Sequence, residues 1–371
     1  MKKIIALLLL VSLLALSLVS CGGGGDKAKY DAAVEYISQG KYTEAYALFA
    51  ELGDYEDAAE YLGRFHYMIT AVRFTEDDEV MAMTVELNEK NLPKKIAASY
   101  DGEVYGYLTL AYDNKGRITK EIEIDEEGDS CGTTYEYDER GNLIREIYTD
   151  YDGDTSGYSY TYNTEGKLTQ TTYTSYDGST RVEAIYTYDL RGYLVKITEP
   201  SSWGDDYVTT FAYDVNGNLL KEEHISEYSK YTYEYTYDVN GNEIMHTYSM
   251  DDELLSIQEY TYDAKGNIIE SKSTNVGGIT YPEGYVTTTA YTYDASGNLV
   301  KEEHTYGGEL SYVVEYTYDA GGNMTKMAYI DAEDGEEEVL EIAYTLVYVS
   351  PDILEETINY VQEKLWDLFP N

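Results

Sequence analysis

The sequence predicts a mainly β protein, built as a long antiparallel array of β-hairpin repeats that forms a curled or spiralling open sheet. A short phrase, clearest as YTYDASGNLVKEE at Tyr291–Glu303, recurs along the chain. Tyrosine dominates the aromatic residues, with 45 Tyr against 5 Phe. The residue before each turn recurs at steps of 25, 25, 26, 25, 24, 25, 31 and 25. So steady a period indicates one supersecondary unit that is copied and stacked. The nine marks are Asp113, Asp138, Asn163, Asp189, Asp214, Asp238, Asp263, Asp294 and Asp319.

The chain begins with a predicted export signal at residues 1–20. Lys2 and Lys3 precede the apolar run Ile4–Val19, which is short for a membrane span. The following Leu-Val-Ser-Cys resembles the lipobox of bacterial lipoproteins, and the resemblance implies cleavage before Cys21 and lipidation of its sulfur, with palmitate among the acyl chains. Residues 21–27 are then a Gly-rich tether. The alternative is a plain signal peptide with an incidental cysteine.

Residues 28–72 are predicted to be helical. Ala45, Leu48, Phe49 and Leu52 have helical spacing, Gly40 and Gly53 interrupt the segment, and Asp54 is a candidate cap for the next helix. The segment resembles a degenerate tetratricopeptide-type helical hairpin. Because two or three helices bury little surface by themselves, we expect the segment to dock on the sheet or on a partner.

Residues 73–110 are predicted lead-in strands. Apolar and β-branched runs flank the acidic turn Glu76–Glu79, and a second hairpin forms around Asp101-Gly102.

Residues 111–337 hold the nine repeats, each predicted to be a hairpin. Asp294 can accept backbone N–H groups of its turn, and Gly297 can adopt positive φ. In the simplest register Tyr291 faces Lys301, and Glu302 lies on the opposite face from the tyrosines. Less regular Gly- and Asp-rich turns join the copies, giving about eighteen strands in an array that must curl.

The phrase Y-x-Y-D-x-x-G-N-L resembles the YD repeat of the RHS family, over about Leu110 to Ile330. Larger members of that family wind such hairpins into a hollow shell, often around a toxic C-terminal domain. This chain has neither the conserved D-P-x-G type segment that closes those shells nor a domain-sized sequence after the repeats, so neither a closed shell nor a toxin cargo is predicted.

Residues 338–371 are predicted to contain a final buried strand and an amphipathic capping helix. Val339–Val349 is apolar on both faces, and Ser350 and Pro351 suit a helix start. The helix would carry one apolar stripe, formed by Leu354, Ile358, Val361, Leu365 and Leu368. Capping an open sheet edge is favoured over binding a partner, because exposed edges promote aggregation.

The chain is strongly acidic, with 70 Asp and Glu, 26 Lys and Arg and a net charge of −44. Such a surface repels phosphates, so a nucleic-acid partner is not expected. Apart from Cys21 the only thiol is Cys131, so no internal disulfide is predicted once Cys21 is lipidated.

The sequence shows no catalytic, metal or cofactor motif, so we predict that the protein is not an enzyme and holds neither a metal nor a cofactor. The segment Asp150–Asp154 begins like a calcium loop but lacks the Gly and Glu that complete one. His224 and His304 occupy the same repeat position, which indicates copying.

The repeated tyrosines are candidates for stacking a ligand. Tyrosine combines an apolar ring with a polar edge, so rows of it suit either packing or the binding of sugars and peptides. The packing interpretation is favoured because the positions repeat with the fold. The candidate stacking residues are Tyr235, Tyr237, Tyr260, Tyr262, Tyr291, Tyr293, Tyr316 and Tyr318.

These features predict an exported cell-surface protein, held in the membrane by a lipid anchor. It would act as a non-catalytic binding, adhesion or structural module for carbohydrate or for a cell-surface protein. Two alternatives remain open: a surface glycan hydrolase that uses carboxylates of the sheet, and a carrier or immunity partner in a toxin system.

Overall fold

The described part of the chain forms a single antiparallel sheet of 22 strands with a short helical segment before it. A computed structural model describes residues 24–76, 79–202, 204–276, 284–351 and 353. The predictions of a mainly β fold and of a small N-terminal helical segment are confirmed.

The helices are α1 (Gly24–Ser38), α2 (Tyr42–Leu52) and α3 (Ala58–Leu62). The strands are β1 (Phe65–Glu76), β2 (Glu79–Leu87), β3 (Pro93–Tyr100), β4 (Glu103–Tyr112), β5 (Ile118–Asp125), β6 (Ser130–Tyr137), β7 (Leu143–Thr149), β8 (Thr155–Tyr162), β9 (Leu168–Thr174), β10 (Thr180–Tyr188), β11 (Leu194–Glu199), β12 (Tyr207–Tyr213), β13 (Leu219–Ile225), β14 (Lys230–Tyr237), β15 (Glu243–Met250), β16 (Glu253–Tyr262), β17 (Ile268–Asn275), β18 (Tyr285–Tyr293), β19 (Leu299–Tyr306), β20 (Glu309–Tyr318), β21 (Met324–Asp331) and β22 (Glu337–Tyr348).

The sheet closes on itself, so the predicted open sheet is wrong. Each strand pairs with the next, and β1 pairs antiparallel with β22 from Phe65↔Tyr348 to Thr75↔Val339. Closure satisfies the backbone groups of the first and last strands, which an open sheet would leave as exposed edges. The apolar character of β22, which predicted a buried strand, is explained by its place between β21 and β1.

The predicted helical boundary at residue 72 is also wrong, because β1 already begins at Phe65. Its sequence FHYMITAVRF is rich in β-branched and aromatic residues, and its pairing with β22 overrides the helical continuation. The interruptions at Gly40 and Gly53 are confirmed. The residue that precedes α3 is Asp57, not Asp54.

A β-bulge in each repeat hairpin changes which residues share a face. Tyr293 pairs with Leu299 as predicted, but Thr292 pairs with Lys301 and Tyr291 with Glu302. The predicted pairing of Tyr291 with Lys301 is therefore wrong by one residue. The extra residue on the second strand moves Glu302 onto the tyrosine face, since a one-residue shift exchanges the faces of a strand.

The tyrosine face is the inner face of the closed sheet. A buried cluster that includes Val72, Ile96 and Ile342 joins β1–β5 with β22, and the repeat tyrosines Tyr112 and Tyr135 pack against it. The helical segment forms a second cluster around Phe49 and Phe65, against the end of β22. Docking of the helices on the sheet is thus confirmed.

The repeated Asp clamps each hairpin turn, as its position predicted. Asp238 Oδ1 accepts the N–H groups of Asn240 at 2.8 Å and Asn242 at 2.9 Å, while Oδ2 accepts the Asn242 side-chain amide at 3.0 Å. The same arrangement surrounds Asp263 and Asp294. Gly297 has φ +94°, which glycine adopts without strain.

The two ends of the closed sheet differ in charge. One end, which we call the Asp-turn rim, is formed by the loops that follow even-numbered strands up to β20. Between the strand bounds these loops contain 11 acids and 7 Lys and Arg. The loops that follow odd-numbered strands form the other end, the acidic rim, with 19 acids and no Lys or Arg.

The helical segment and the end of the described chain lie at the Asp-turn rim. The helices lead into β1, and Ile353 packs against Gly116, in the turn between β4 and β5. The export signal, Cys21 and the predicted helix stripe from Leu354 onward lie outside the described residues. No helix among those that the structure describes is long and apolar enough to cross a membrane.

The Asp clamps predict a pH-dependent contribution to stability. The backbone N–H of Asn242, with the side-chain amide of the same residue, lowers the pKa of Asp238 below its ordinary value. A carboxyl whose folded pKa is lowered stabilises the fold above its unfolded pKa of about 3.9 and loses that effect as the pH falls through the folded pKa. We therefore expect Asp238→Asn to lower the urea unfolding midpoint at pH 6.

This difference between the wild-type protein and the variant should shrink steadily below about pH 4, where the carboxyl becomes protonated. Comparing the two chains at each pH cancels the repulsion among the other charged groups, which the two chains share. A difference that is constant between pH 6 and pH 3 would show that the charge of this carboxyl does not stabilise the turn.

Candidate functional site

The inner face is closely packed only in one sector of the closed sheet. Between Ile118 and Ala328, the buried hydrophobic residues among those described are Cys131 and Ala184. Elsewhere in this stretch the inner side chains of β12–β20 are mostly Tyr, Thr, His and Glu that remain half-buried. A sheet of 22 strands encloses more space than its own side chains fill. The inner face of β12–β20 is therefore where a ligand could meet exposed aromatic rings.

The second tyrosine of each repeat is part of the framework. Its hydroxyl donates to the carbonyl of the residue that starts the second strand of the previous hairpin: Tyr237 to Leu219 at 2.8 Å, and Tyr318 to Leu299 at 2.8 Å. This bond joins neighbouring hairpins end to end along the Asp-turn rim, and we call the series the tyrosine ladder. Its other members are Tyr112, Tyr137, Tyr162, Tyr188, Tyr213, Tyr262 and Tyr293.

The first tyrosine of a repeat meets a polar side chain that the bulge has turned inward. Tyr316 donates to Glu302 Oε1 at 2.7 Å, and Tyr135 donates to Glu121 Oε2 at 3.0 Å. Burial, together with the Glu302 hydrogen bond, raises the pKa of Tyr316. A half-buried phenol needs such a partner, because an unpaired hydroxyl would lose its hydration.

The one repeat with Phe in place of this tyrosine supports the pairing rule. Phe211 has no hydroxyl, and the position that corresponds to Glu302 is Ile197 there. Ile197 pairs with Thr209 in β12 just as Glu302 pairs with Val314 in β20. The inward position next to the first aromatic residue is therefore polar where that residue is Tyr, and apolar where it is Phe.

Tyr235 and Tyr260 differ from the other candidate stacking residues. Within the described part of the chain, no hydrogen bond engages either hydroxyl. The His246 ring lies between them, with its centroid 5.6 Å from that of Tyr235 and 6.2 Å from that of Tyr260. His246 Nδ1 is 2.7 Å from Glu243 Oε1. Burial and the nearby Glu222 and Glu243 carboxylates raise the pKa of Tyr235 to about 12, so the phenol stays protonated as a donor at neutral pH.

Further aromatic rings extend this surface across the neighbouring strands. Tyr233 and Tyr248 are stacked at 4.9 Å, and His224 meets Tyr233 edge-on at 5.9 Å. We call the whole surface the aromatic patch; it comprises Tyr207, His224, Tyr231, Tyr233, Tyr235, His246, Tyr248 and Tyr260. Its members belong to β12–β16 and all are half-buried. Flat rings with polar neighbours can stack against a sugar or peptide ligand and hydrogen-bond its edges.

Two histidines of the inner face form identical hydrogen-bonded chains. His224 Nδ1 is 3.1 Å from Thr209 Oγ1, and its Nε2 is 2.9 Å from Glu222 Oε1. In a later repeat Thr289, His304 and Glu302 repeat this order at 3.0 and 2.9 Å.

The order of hydroxyl, imidazole and carboxylate is one that activates nucleophiles in some hydrolases. Its presence in two equivalent repeats is in keeping with the copying that the sequence predicted.

The structure divides the eight predicted stacking residues into three groups. Tyr237, Tyr262, Tyr293 and Tyr318 belong to the tyrosine ladder. Tyr291 and Tyr316 have hydroxyl partners in Ser271, at 3.1 Å, and Glu302. Tyr235 and Tyr260 remain as the candidate site.

Sequence reasoning missed Glu222, Glu243 and His246, because the unpredicted bulge decides that Glu222 and His246 lie on the tyrosine face. One signal in the sequence could have revealed this register shift: the repeat that has Phe211 in place of tyrosine also has Ile197 in place of the polar partner.

The acidic segments show no metal-binding geometry. Asp150 Oδ1 accepts the N–H groups of Asp152 and Asp154, so this segment forms a turn. No group of three or more His, Cys, Asp and Glu side chains in the described ranges is arranged to hold a metal ion. Cys131 is buried as a free thiol, 3.6 Å from Glu123 Oε2.

An acidic cleft of about 630 Å³ opens at the acidic rim. Tyr329, Asp331 and Glu338 line it together with carboxylates of the last turn. Its charge disfavours anionic ligands.

Comparison with known proteins supports the repeat assignment. The family model described as Teneurin YD-shell matches residues 58–222, which confirms the resemblance to YD repeats. No curated protein matches the chain significantly.

The solved structures that match this chain are only distantly similar to it. A TcdB2–TccC3–Cdc42 complex has 14% identity and a TM-score of 0.41, over 73% of this chain and 19% of that chain. The Tc holotoxin pore of Photorhabdus luminescens has 14% identity and a TM-score of 0.38, over 73% and 18%. This chain thus spans less than a fifth of those toxin chains. A porin-like protein from Bacteroides uniformis has 14% identity and a TM-score of 0.28, over 75% of this chain and 96% of that chain.

The division between ladder and site tyrosines predicts different effects on stability for the same substitution made two residues apart. Tyr237→Phe removes the hydroxyl that donates to Leu219 and should cost about 1 kcal/mol of unfolding free energy. Tyr235→Phe removes a hydroxyl that has no partner in the described chain and should leave stability within about 0.5 kcal/mol of the wild type. Urea unfolding of both variants checks this, and equal losses would contradict the division.

Proposed function

We propose that this chain, whose repeats are of the YD type, is an exported and lipid-anchored binding module that holds a carbohydrate ligand against the aromatic patch. One observation supports this above all: Tyr235 and Tyr260 flank His246 on a half-exposed inner face, and no hydrogen bond in the described chain uses their hydroxyls. The hydroxyls of the other candidate tyrosines are hydrogen-bonded within the sheet. The hydroxyls of Tyr235 and Tyr260 have no such structural role in the described part of the chain and are available to a ligand.

The chemistry of the patch favours a neutral or amino sugar. Apolar faces of sugar rings stack on aromatic rings, while hydroxyl groups of the sugar find donors and acceptors at their edges. Tyr235, Tyr260 and His246 supply rings and donors, and Glu222 and Glu243 supply acceptors. The same carboxylates, with a net charge of −44 for the chain, repel uronic acids and phosphorylated sugars.

The anchor is proposed from the sequence around Cys21. An apolar leader, a cysteine at its end and a glycine tether are the features of a lipidated, membrane-held protein. Two or more acyl chains give stable anchoring, where a single chain gives only reversible binding. We expect Cys21→Ser to abolish incorporation of labelled palmitate and release the protein from membranes. Undiminished labelling of the variant would contradict the proposed anchor. The proposal of a ligand site on the aromatic patch does not depend on that result.

The ligand proposal is tested with a glycan array and the soluble form, residues 26–371. We expect saturable binding to neutral or amino sugars, reduced at least tenfold by Tyr235→Ala and by Tyr260→Ala. Tyr228→Ala is the matched control, because Tyr228 lies in an acidic-rim turn with an exposed fraction of 85%. Circular dichroism would show that each variant is folded.

Other outcomes of the same screen point to other functions. A blank array with capture of a surface protein that depends on Tyr235 would assign a protein partner to the patch. The Thr–His–Glu chains favour the glycan hydrolase as the second candidate. Turnover of a bound glycan that is lost in Glu222→Gln or Glu302→Gln would promote it. Binding that Tyr228→Ala weakens as much as Tyr235→Ala would contradict a site on the inner face.

A further inference from the structure

Three neighbouring turns of the Asp-turn rim carry fully exposed apolar side chains. Leu190, Val215 and Val239 directly follow the clamping Asp of their turns, and their exposed fractions are 108%, 93% and 101%. The Asp clamp holds each turn rigid, so these tips cannot fold back onto the sheet. The first three repeats have Asn114, Glu139 and Thr164 at this position and the last three have Ala, so the large apolar tips are confined to one arc of the rim.

The Asp-turn rim that carries these tips is less acidic than the opposite rim: its 11 acids against 7 Lys and Arg give a net charge of −4, whereas the acidic rim has 19 acids and no Lys or Arg. The turns from β10 to β15 contain Asp189, Asp214 and Asp238 against Arg191. Each of the three carboxylates accepts hydrogen bonds from its own turn, and Arg191 bridges to the carbonyl of Asp214 at 2.9 Å. The acidic rim lies at the other end of the strands, about 25 Å away for an eight-residue strand, well beyond the screening length of about 8 Å.

The chain enters the closed sheet from this same rim. The helical segment leads into β1 at Phe65, and it packs against the end of β22. α1 begins at Gly24, so the predicted tether of residues 21–27 is wrong in its extent, and only two residues separate Cys21 from the helix. An anchor at Cys21 would therefore hold the Asp-turn rim near the bilayer. The acidic rim, with no Lys or Arg between its strand bounds, then points away from the membrane.

We propose that the Asp-turn rim is a membrane-facing surface, and that Leu190, Val215 and Val239 insert into the interface of a zwitterionic bilayer. This inference rests on the lipid anchor proposed above for the protein in its cell. Exposed apolar side chains partition into the interfacial region of a bilayer, and the less acidic of the two rims is better suited to that contact than the carboxylate-rich rim. The anchor keeps the rim at a high effective concentration near the membrane surface. Three weakly inserting side chains can then orient the protein, although they would be too few to bind the membrane without the anchor.

The test supplies the anchor artificially, so that its result does not depend on lipidation of Cys21. Residues 22–371 carry an N-terminal hexahistidine and are held on phosphatidylcholine vesicles that contain a nickel-chelating lipid. A polarity-sensitive dye is placed at Val215→Cys or, as the control on the acidic rim, at Tyr228→Cys, both in a Cys131→Ser background. Quenchers borne by the lipid chains report the depth of each dye.

We expect quenching at Val215 to exceed that at Tyr228 at least twofold, with a blue-shifted emission only at Val215. Replacing Leu190 and Val239 by Asp should remove that excess, whereas adding anionic lipid should not increase it. Equal quenching at the two positions would overturn the proposal. A blue-shifted Val215 dye without vesicles would overturn it too, because another part of the chain, such as residues 354–371, would then cover the tips.

Discussion

The hydrogen bond from a tyrosine hydroxyl to a carbonyl of the preceding hairpin is the contact that orders the repeats of the sheet. Ladder pairing alone would allow neighbouring hairpins to twist to different degrees. The ladder tyrosines, from Tyr112 to Tyr318, fix each hairpin to the one before it at the Asp-turn rim, with O···O distances of 2.5 to 2.9 Å. The bond requires Tyr and not Phe, which explains why these nine positions hold tyrosine. A stacking ligand is not needed to account for this half of the tyrosine rows.

The bulge that follows each Asp turn decides what else the inner face can do. It places Glu222, His246 and Glu302 beside the first tyrosine of the next repeat, where an unbulged hairpin would place Lys or Met. In most repeats the inward side chain only satisfies that tyrosine. Around His246 the pairing leaves two hydroxyls uncommitted, and the patch becomes able to bind. The proposed binding site is thus the place where, within the described chain, the tyrosine hydroxyls lack the inward hydrogen-bond partner that other repeats supply.

The sequence repeat made the structure within each hairpin predictable, but it did not determine the pairing of strands that are far apart in the chain. Spacing and turn chemistry predicted the hairpins, the Asp clamp and the positive φ of Gly297, because these involve residues within one copy. Closure depends on pairs such as Val72 with Ile342, which no period relates. The start of β1 was missed for the same reason, since its strand character comes from β22. A bulge at the turn glycine was predicted, but the bulge in the second strand of each hairpin was not, because a one-residue shift leaves the sequence phrase unchanged.

Closure is the central claim, and the distance between the first and last strands tests it most directly. Spin labels at Arg73→Cys and Glu341→Cys, in a Cys131→Ser background, would sit on exposed positions that face each other across β1 and β22. In the closed sheet the paired Cα atoms are about 5 Å apart, so dipolar spectroscopy should report a single distance below about 20 Å. An open array of 22 strands extends about 100 Å from edge to edge. A distribution centred well beyond 20 Å would therefore contradict closure.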